Sequence, residues 1–275
     1  MQAAVQPLDW TAAFMYDDRV CSRLIVQNGS FMMPVYSCRT IDSTNAHAIR
    51  LIEGGAGGDE FAVTAAEQTA GRGRMERVWV SKPGLGLYLS IVSRPCVAVE
   101  NLPQSTLVAA VAAVHALRAR CDAPVSIKWP NDLYYDGKKL GGILTQTKWG
   151  APGARVSVVV GIGINCNHVV DDFPPELRTT ATSMRAITGV PIDGEILVPA
   201  LLDSFQCWRR CWEEDGFAVV RREWLSLDCT VGKRVSLPEH PDRKAVVTGI
   251  SEYGELVLKD DSGEEHTVIA GDVVL

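Results

Sequence analysis

Several common sequence patterns are missing from this 275-residue chain. No apolar run approaches the length of a membrane span. Residues 1–19 do not join a basic segment to a long apolar run, as a secretory signal does. They carry three aspartates and no arginine before Arg19, which argues against a typical mitochondrial presequence. We therefore expect a cytoplasmic protein, with an organelle as the alternative, and no membrane partner.

Cysteine and histidine are present without the spacing of a metal site. None of the eight cysteines forms a Cys-x-x-Cys pair, and the five histidines are scattered, so neither a metal site nor a Ser/His/Asp triad can be argued. We expect free thiols in a reducing compartment, without a disulfide framework. Cys207 and Cys211 lie four residues apart on an expected helix, where we expect shared burial.

Two common nucleotide-binding patterns are also missing. There is no Walker A sequence, and the Gly-Ile-Gly-Ile-Asn run at 161–165 lacks the third glycine that opens a helix in a Rossmann fingerprint. The net charge of −6 offers little attraction to a nucleic acid, so no DNA partner is expected. The chain is 47% hydrophobic and 22% charged, which is typical of a globular protein with a sizeable core. If ATP binds, it does so by another scheme.

What the sequence does contain is a run of arginines and glycines within residues 67–79. Glycine lets the backbone turn close to a ligand, and arginine forks onto carboxylate or phosphate. The run therefore predicts a loop that holds an anion with several oxygens. A solvated surface loop and an RGG-like grip on single-stranded nucleic acid are alternatives. The motif occurs once and ends in the apolar Val78-Trp79, which weighs against the second alternative.

Two further motifs place polar groups where strands are expected to end. Lys-Trp-Pro-Asn-Asp at 128–132 follows an expected strand, and a hairpin turn at Asp136-Gly137 brings Lys138 and Lys139 back beside it. Solvated turn residues and solvated lysines are the alternative. The glycines at 161–165 predict close approach of a backbone or flat ligand, with a β-bulge as the alternative.

The remaining pattern predicts both helices and strands. A helix is expected after Ser43-Thr44-Asn45 and before Gly54-Gly55, and a long helix opens at Pro103. Helix is also expected over 193–227, and strands over 61–66, 86–92 and 125–129. Short alternating runs at 234–237, 245–250, 255–258 and 266–269 predict a small antiparallel barrel beyond a boundary near 225. Residues 1–37 carry no chemistry that we can name.

Five motifs occur in a fixed order between Ser43 and Asn165: Ser-Thr-Asn, Gln-Thr-Ala-Gly-Arg-Gly-Arg, Lys-Trp-Pro-Asn-Asp, Lys-Leu-Gly-Gly-Ile-Leu and Gly-Ile-Gly-Ile-Asn. This ordered set resembles the biotin protein ligases, from about residue 36 to the end of the chain. The resemblance implies an α+β catalytic domain over 1–225, a mixed sheet with packed helices of the class II synthetase type, and a C-terminal SH3-like barrel over 226–275. The role of residues 1–36 is open, and they show no helix-turn-helix pattern, so we expect the form without an N-terminal DNA-binding domain.

The resemblance also implies a reaction. Biotin is activated with ATP and Mg²⁺ to biotinyl-5′-AMP, pyrophosphate is released, and biotin passes to a lysine of a biotin carboxyl carrier domain. The metal ligands are unknown, no tightly bound prosthetic group is expected, and the protein is expected to be a monomer or a homodimer. The alternatives are lipoate or octanoate ligation on the related fold and a non-catalytic biotin-binding protein.

The site residues are implied by the same resemblance. Biotin-binding positions are Ser43, Thr44, Asn45, Gln68, Arg72, Gly73, Arg74, Lys139, Gly141 and Gly142. Adenylate-binding positions are Arg74, Trp79, Lys128, Asn131, Asp132 and Asn165. Catalytic positions are Arg72, Lys139 and Asp132. Many relatives carry glycine where this chain has Glu76, a carboxylate that would either oppose an incoming phosphate or pair with Arg74 or Arg77.

Overall fold

A computed structural model of the protein describes residues 21–28, 31–55, 60–150, 155–236, 244–269 and 271. The helices are α1 (Thr44–Glu53), α2 (Ser105–Arg118), α3 (Met184–Thr188), α4 (Leu197–Asp215) and α5 (Phe217–Leu227). The first eight strands are β1 (Cys21–Asn28), β2 (Phe31–Ile41), β3 (Phe61–Gln68), β4 (Gly86–Ser93), β5 (Ser126–Lys128), β6 (Asp132–Tyr135), β7 (Lys138–Lys148) and β8 (Ser157–Asn165). The last four are β9 (Arg234–Ser236), β10 (Lys244–Ile250), β11 (Leu256–Asp260) and β12 (Glu265–Val268).

The first eight strands form one mixed sheet in the order β1-β2-β3-β4-β8-β7-β6-β5. The β2–β3 pair is parallel and the other neighbouring pairs are antiparallel. Helix α2 is apolar on nearly all sides because it is sandwiched between one face of this sheet and helices α4 and α5. Helix α1 covers part of the opposite face, against β3, β4 and β8. None of the helices in the described ranges is long and apolar enough to cross a membrane.

Two expectations for the N-terminal half need correction. Residues 21–28 and 31–41, to which no structure was assigned from the sequence, form β1 and β2 of the main sheet. The overlooked signal is Asn28-Gly29, a strong hairpin dipeptide, beside a strand interrupted by Pro34. Pro103 lies in a 3-10 turn over Val99–Gln104, and the long helix begins just after it at Ser105.

The C-terminal strands form a separate antiparallel sheet in the order β12-β11-β10-β9. Three side-chain donors from the rest of the molecule reach its β10–β11 turn, and its apolar residues join the main core. Arg221 Nε donates to the carbonyl of Ile250 at 2.7 Å, Gln104 Nε2 to that of Glu252 at 3.3 Å, and Trp129 Nε1 to that of Gly254 at 3.1 Å. The acceptors are therefore backbone carbonyls at alternate residues around the β10–β11 turn.

The boundary between the two parts follows a helix end. Gly216, with φ of 80°, separates α4 from α5, so the helical region expected over 193–227 is two helices. Helix α5 packs on α2 and α4 and ends at Leu227. The division of the chain into domains at residue 225 stays a prediction.

The cysteines depart from expectation at two places. Cys38 is disulfide-bonded, and its backbone partner across the β1–β2 pair is Cys21, so the expectation of free thiols throughout is wrong. Cys207 is exposed and Cys211 half-buried, so this pair does not share burial. The free cysteines among the described residues are Cys96, Cys121, Cys166, Cys207, Cys211 and Cys229.

Candidate functional site

The β6–β7 hairpin brings the expected lysine and aspartate together. Its turn residues Asp136 and Gly137 both adopt positive φ, of 48° and 73°. The Nζ atom of Lys139 lies 2.7 Å from Oδ1 of Asp132, and the two side chains are 34% and 21% exposed. Lys138 is exposed on the next position of the strand. Lys139 and Asp132 therefore form a partly exposed ion pair, at the position where the sequence predicts the reacting centre.

The indole of Trp79 lies flat over two glycines beside this ion pair. A methyl group added to Gly163 would come within 2.7 Å of the indole ring, and one added to Gly142 within 3.5 Å. The Nζ atom of Lys139 is 5.6 Å from a ring centroid of Trp79. The indole Nε1 is buried and has no acceptor among the described residues. Because β8 pairs in continuous register with β4 and β7, the glycines mark close approach and not a bulge.

Arg74 connects the arginine–glycine loop to the turn after β5. Its Nη1 donates to Asn131 Oδ1 at 3.1 Å and to the carbonyl of Gly271 at 3.2 Å. The amide of Asn131 donates to the carbonyl of Ile143 at 2.7 Å, and the Ile143 N–H donates back to the Asn131 carbonyl at 2.9 Å. Asn131 is thus fixed to the sheet, and Arg74 reaches it from the loop.

The N-terminus of α1 carries a connected set of polar groups. Gln68 Oε1 accepts from Thr44 N at 2.8 Å and from Thr44 Oγ1 at 3.1 Å. Its Nε2 donates to Ser81 Oγ at 2.8 Å, and that hydroxyl donates to the carbonyl of Trp79 at 3.2 Å. Ser43 is buried, at 7% exposure, and its side chain makes no cap bond to α1. Both polar ends of the Gln68 side chain are therefore engaged by protein partners, whereas the Ser43 hydroxyl makes no cap bond.

Asn45 has its amide satisfied inside the protein. Its Nδ2 donates to the carbonyl of Leu144 at 3.1 Å and to Gln146 Oε1 at 2.8 Å, and its Oδ1 accepts from Ser90 Oγ at 2.6 Å. A methyl group added to Gly161 would come within 2.4 Å of this Oδ1. These contacts fix the first turn of α1 against strands β4, β7 and β8, so Asn45 holds the N-terminus of the helix in place.

The arginine–glycine loop has an open tip and a closed base. At the base, a methyl group on Gly71 would come within 2.4 Å of the Trp79 carbonyl, so only glycine fits there. At the tip, Arg72 is 66% exposed, and its Nη1 lies 3.8 Å from Oε2 of Glu76. Met75 and Glu76 both adopt positive φ, of 54° and 57°. Glu76 therefore forms its ion pair with Arg72, a partner not considered from the sequence, and strained backbone explains why glycine suits that position.

Lys128 and Tyr134 form the rim of the site next to Asp132. The Nζ atom of Lys128 donates to Tyr134 Oη at 3.4 Å and lies 5.2 Å from the ring centroid. Lys128 also pairs across the β5–β6 ladder with Asp132, so the lysine and the carboxylate share one face. Tyr134 was missed by sequence reasoning, because a single tyrosine on a strand carries no signal of its own.

Asn165 lies apart from this rim, at the end of β8. It is buried, and its Nδ2 donates to the carbonyl of Thr182 at 3.0 Å. The Thr182 N–H donates in turn to the carbonyl of Lys139 at 2.9 Å. Asn165 is therefore connected to Lys139 through Thr182, although its amide does not contact the lysine.

The two other predicted glycines serve the backbone. A methyl group on Gly141 would come within 2.6 Å of the Gly163 carbonyl, so β7 and β8 need glycine there to approach each other. The N–H of Gly73 donates to the carbonyl of Arg77 at 2.7 Å and closes the loop tip. Both positions shape the site without offering a side chain to a ligand.

Residues 37–165 match the family model described as the biotin/lipoate A/B protein ligase family, and residues 230–275 match the biotin protein ligase C-terminal domain. The chain is 34% identical to the biotin–[acetyl-CoA-carboxylase] ligase of Paracoccus denitrificans, covering 82% of this chain and 93% of that protein. It is 30% identical to the ligase of the same name from Mycobacterium tuberculosis, covering 94% and 95%. The chain therefore belongs to the biotin/lipoate A/B protein ligase family, as the ordered motifs indicated.

Solved structures agree with this assignment. The biotin protein ligase of Aquifex aeolicus in complex with biotin and ATP superposes with a TM-score of 0.73 at 28% identity, covering 87% of this chain and 97% of that chain. The predicted mixed sheet with packed helices and a small C-terminal β-domain is thereby confirmed. The chain spans only 59% of the length of the bifunctional ligase/repressor BirA of Bacillus subtilis, to which it is 38% identical.

Proposed function

We propose that this protein activates biotin with ATP to biotinyl-5′-AMP and transfers the biotinyl group to a lysine of a biotin carboxyl carrier domain. The observation that carries the proposal is the Lys139–Asp132 ion pair, which lies beside the Trp79 indole on a floor of glycines. A cation, a carboxylate and a flat aromatic surface suit a reaction between a carboxylate and a nucleotide phosphate. Two relatives named biotin–[acetyl-CoA-carboxylase] ligase and a neighbour solved with biotin and ATP support it.

In the first step, an oxygen of the biotin carboxylate attacks the α-phosphorus of ATP, and the bond from that phosphorus to the pyrophosphate oxygen breaks. Both reacting groups are anionic, so cations must screen their repulsion. We assign this role to the Lys139 ammonium and to the exposed Arg72 guanidinium. A preorganised charge also stabilises the charge that develops on the phosphoryl oxygens. Pyrophosphate leaves and the mixed anhydride remains.

In the second step, the amine of an acceptor lysine attacks the acyl carbon of the anhydride and AMP leaves. The ammonium form of that lysine must lose a proton before it can attack. The Asp132 carboxylate is partly exposed beside the reacting centre and would receive or orient this proton. The arginine–glycine loop would order over the anhydride and exclude water, which would otherwise hydrolyse it.

Magnesium belongs to the proposal as the ion that accompanies ATP. Among the described residues, the cluster of three metal-capable side chains is Asp260, Glu264 and His266, in the C-terminal sheet. The Asp132 carboxylate, beside Lys139, would be an oxygen donor for an ion that the phosphates bring with them. Bound there, the ion would neutralise phosphate charge. We further propose a cytoplasmic monomer or homodimer with no DNA partner.

Pyrophosphate release from ATP tests the proposal, with biotin or lipoate supplied separately. We expect release with biotin and none with lipoate, followed by labelling of a carrier domain. Release with lipoate alone would assign the protein to lipoate ligation. Biotin binding with no pyrophosphate release would make it a non-catalytic biotin-binding protein.

A further inference from the structure

Strand β8 carries two glycines, Gly161 and Gly163, that face the same side of the sheet. Residues two apart on a strand share a face and lie about 7 Å apart. The register of β8 with both neighbours is continuous through this region. Each glycine lies under a different side chain, and the two side chains come from different parts of the chain.

Gly161 lies under the Asn45 amide. The added methyl group would approach Oδ1 to 2.4 Å, Cγ to 3.0 Å and Nδ2 to 3.1 Å. The amide cannot move aside easily, because Ser90, Leu144 and Gln146 hold it by three hydrogen bonds. A side chain at 161 would therefore displace the first turn of α1, which carries the hydroxyl groups of the proposed biotin pocket.

Gly163 lies under the Trp79 indole. The added methyl group would approach three ring atoms to 2.7–2.8 Å. The backbone of Trp79 is held at both ends, by its N–H to the Gly71 carbonyl at 2.9 Å and by the Ser81 hydroxyl on its own carbonyl. The ring can respond only by lifting from the sheet, which moves it relative to Lys139.

We infer that these two glycines are separate positioning residues for the two substrates of the proposed reaction. Gly161 acts through Asn45 and sets the biotin end of the site, and Gly163 acts through Trp79 and sets the nucleotide end. The inference rests on the proposed function for the names of the two substrates. It adds that the two glycines act independently, so that a substitution at one of them weakens the binding of one substrate and not of the other.

Gly161→Ala and Gly163→Ala in the full chain test this division. Biotin and ATP binding are measured separately by calorimetry, and the KM of each substrate by pyrophosphate release. We expect Gly161→Ala to weaken biotin binding about tenfold and to change ATP binding by less than about twofold. We expect Gly163→Ala to weaken ATP binding about tenfold and to change biotin binding by less than about twofold. Ile162→Val, between them and packed in the core on the opposite face, controls for general loosening of β8 and should favour neither substrate.

A double-mutant cycle tests whether each glycine acts through its named partner. Gly161→Ala should have no further effect on biotin in an Asn45→Ala background, and Gly163→Ala none on ATP in a Trp79→Ala background, because the methyl group then has space. These backgrounds also serve if a single variant does not fold. Equal losses of both substrates, or full additivity in either cycle, would overturn the inference. A wild-type protein that binds both substrates but releases no pyrophosphate would fail the proposed function and leave the crossed binding test intact, whereas one that binds neither would overturn both.

Discussion

The ammonium of Lys139 lies 2.7 Å from the carboxylate of Asp132, which is on the paired strand of the β6–β7 hairpin. Lys138 is adjacent in sequence but exposed. Lys139→Ala should therefore lower biotin-dependent pyrophosphate release about 10²–10³-fold, the usual cost of removing one preorganised charge. Lys138→Ala removes the same formal charge and should change the rate little. Equal losses in the two variants would show that general positive charge, and not the position of Lys139, supports the reaction.

Glu76→Gly should stabilise the arginine–glycine loop and strengthen the binding of ATP. Glycine accepts the φ of 57° at this position at little cost, whereas a non-glycine residue is strained there by about 1–2 kcal/mol. The same change removes a carboxylate 3.8 Å from Arg72, so the KM for ATP should fall. Unfolding in urea and initial rates check the two effects. Met75→Gly, at φ of 54°, is the matched control, because it relieves strain without changing charge and should leave the KM unchanged.

Deletion of residues 228–275 should leave a less stable core with poor activity. The deletion removes Gly254, whose carbonyl accepts a hydrogen bond from Trp129 and whose backbone packs on Leu107. The packing is so close that a methyl group on Gly254 would lie 2.5 Å from Leu107 Cδ1, so the deletion exposes Leu107 to solvent. Burying a leucine side chain contributes about 1.5–3 kcal/mol, so the free energy of unfolding should fall by at least that much. Urea unfolding and pyrophosphate release measure the two losses. A truncated protein with full stability and full transfer to a carrier domain would show that the C-terminal sheet is dispensable.

The stability of the fold should fall when the pH drops below about 6.5, because of His168. This side chain is buried, stacked 4.7 Å from Phe173, and its Nδ1 has no partner among the described residues. Burial lowers the pKa of His168, an effect that Lys82 reinforces and Asp172 opposes. The unfolded chain takes up this proton at the ordinary pKa while the folded chain does not, so stability is lost as the pH falls through that window, by at most about 1.4 kcal/mol per pH unit.

Urea unfolding of the wild type and of His168→Gln at pH 8 and pH 5.5 tests this expectation. The substitution should reduce the pH dependence and leave the residual part to other groups, such as His47, whose pKa is also lowered by burial. An unchanged pH dependence in His168→Gln would remove His168 as its source.

The motifs predicted the pairing of Lys139 with Asp132 but not the residues that hold the surrounding loops in place. Lys139 and Asp132 could be paired from the sequence, because Asp136-Gly137 is a specific hairpin signal. The contacts of Ser81 with Gln68 and of Ser90 with Asn45 could not be predicted from the sequence. Serine is common at such positions, and its partner depends on how β3, β4 and α1 come together. Asn45 was assigned to the ligand from its motif, but the structure places its amide among protein partners.

The same limit explains the errors at the sheet edge. Strands β1 and β2 have mixed polarity, so their alternation predicts strand only weakly, and β2 takes its place in the sheet by pairing with β3. The disulfide at Cys38 could not be foreseen, because bonding of cysteines depends on which strands become neighbours.

The docking of the C-terminal sheet distributes mutational tolerance unevenly between its two sides. Gln104, Trp129 and Arg221 each supply a side-chain donor, so replacing any of them deletes a bond. Their acceptors are main-chain carbonyls, which every amino acid possesses, so replacing the exposed Glu252 leaves its hydrogen bond available. Position 252 can therefore vary in surface chemistry while its donor Gln104 cannot, whereas Ile250 and Gly254 are constrained by burial and by close approach to Leu107.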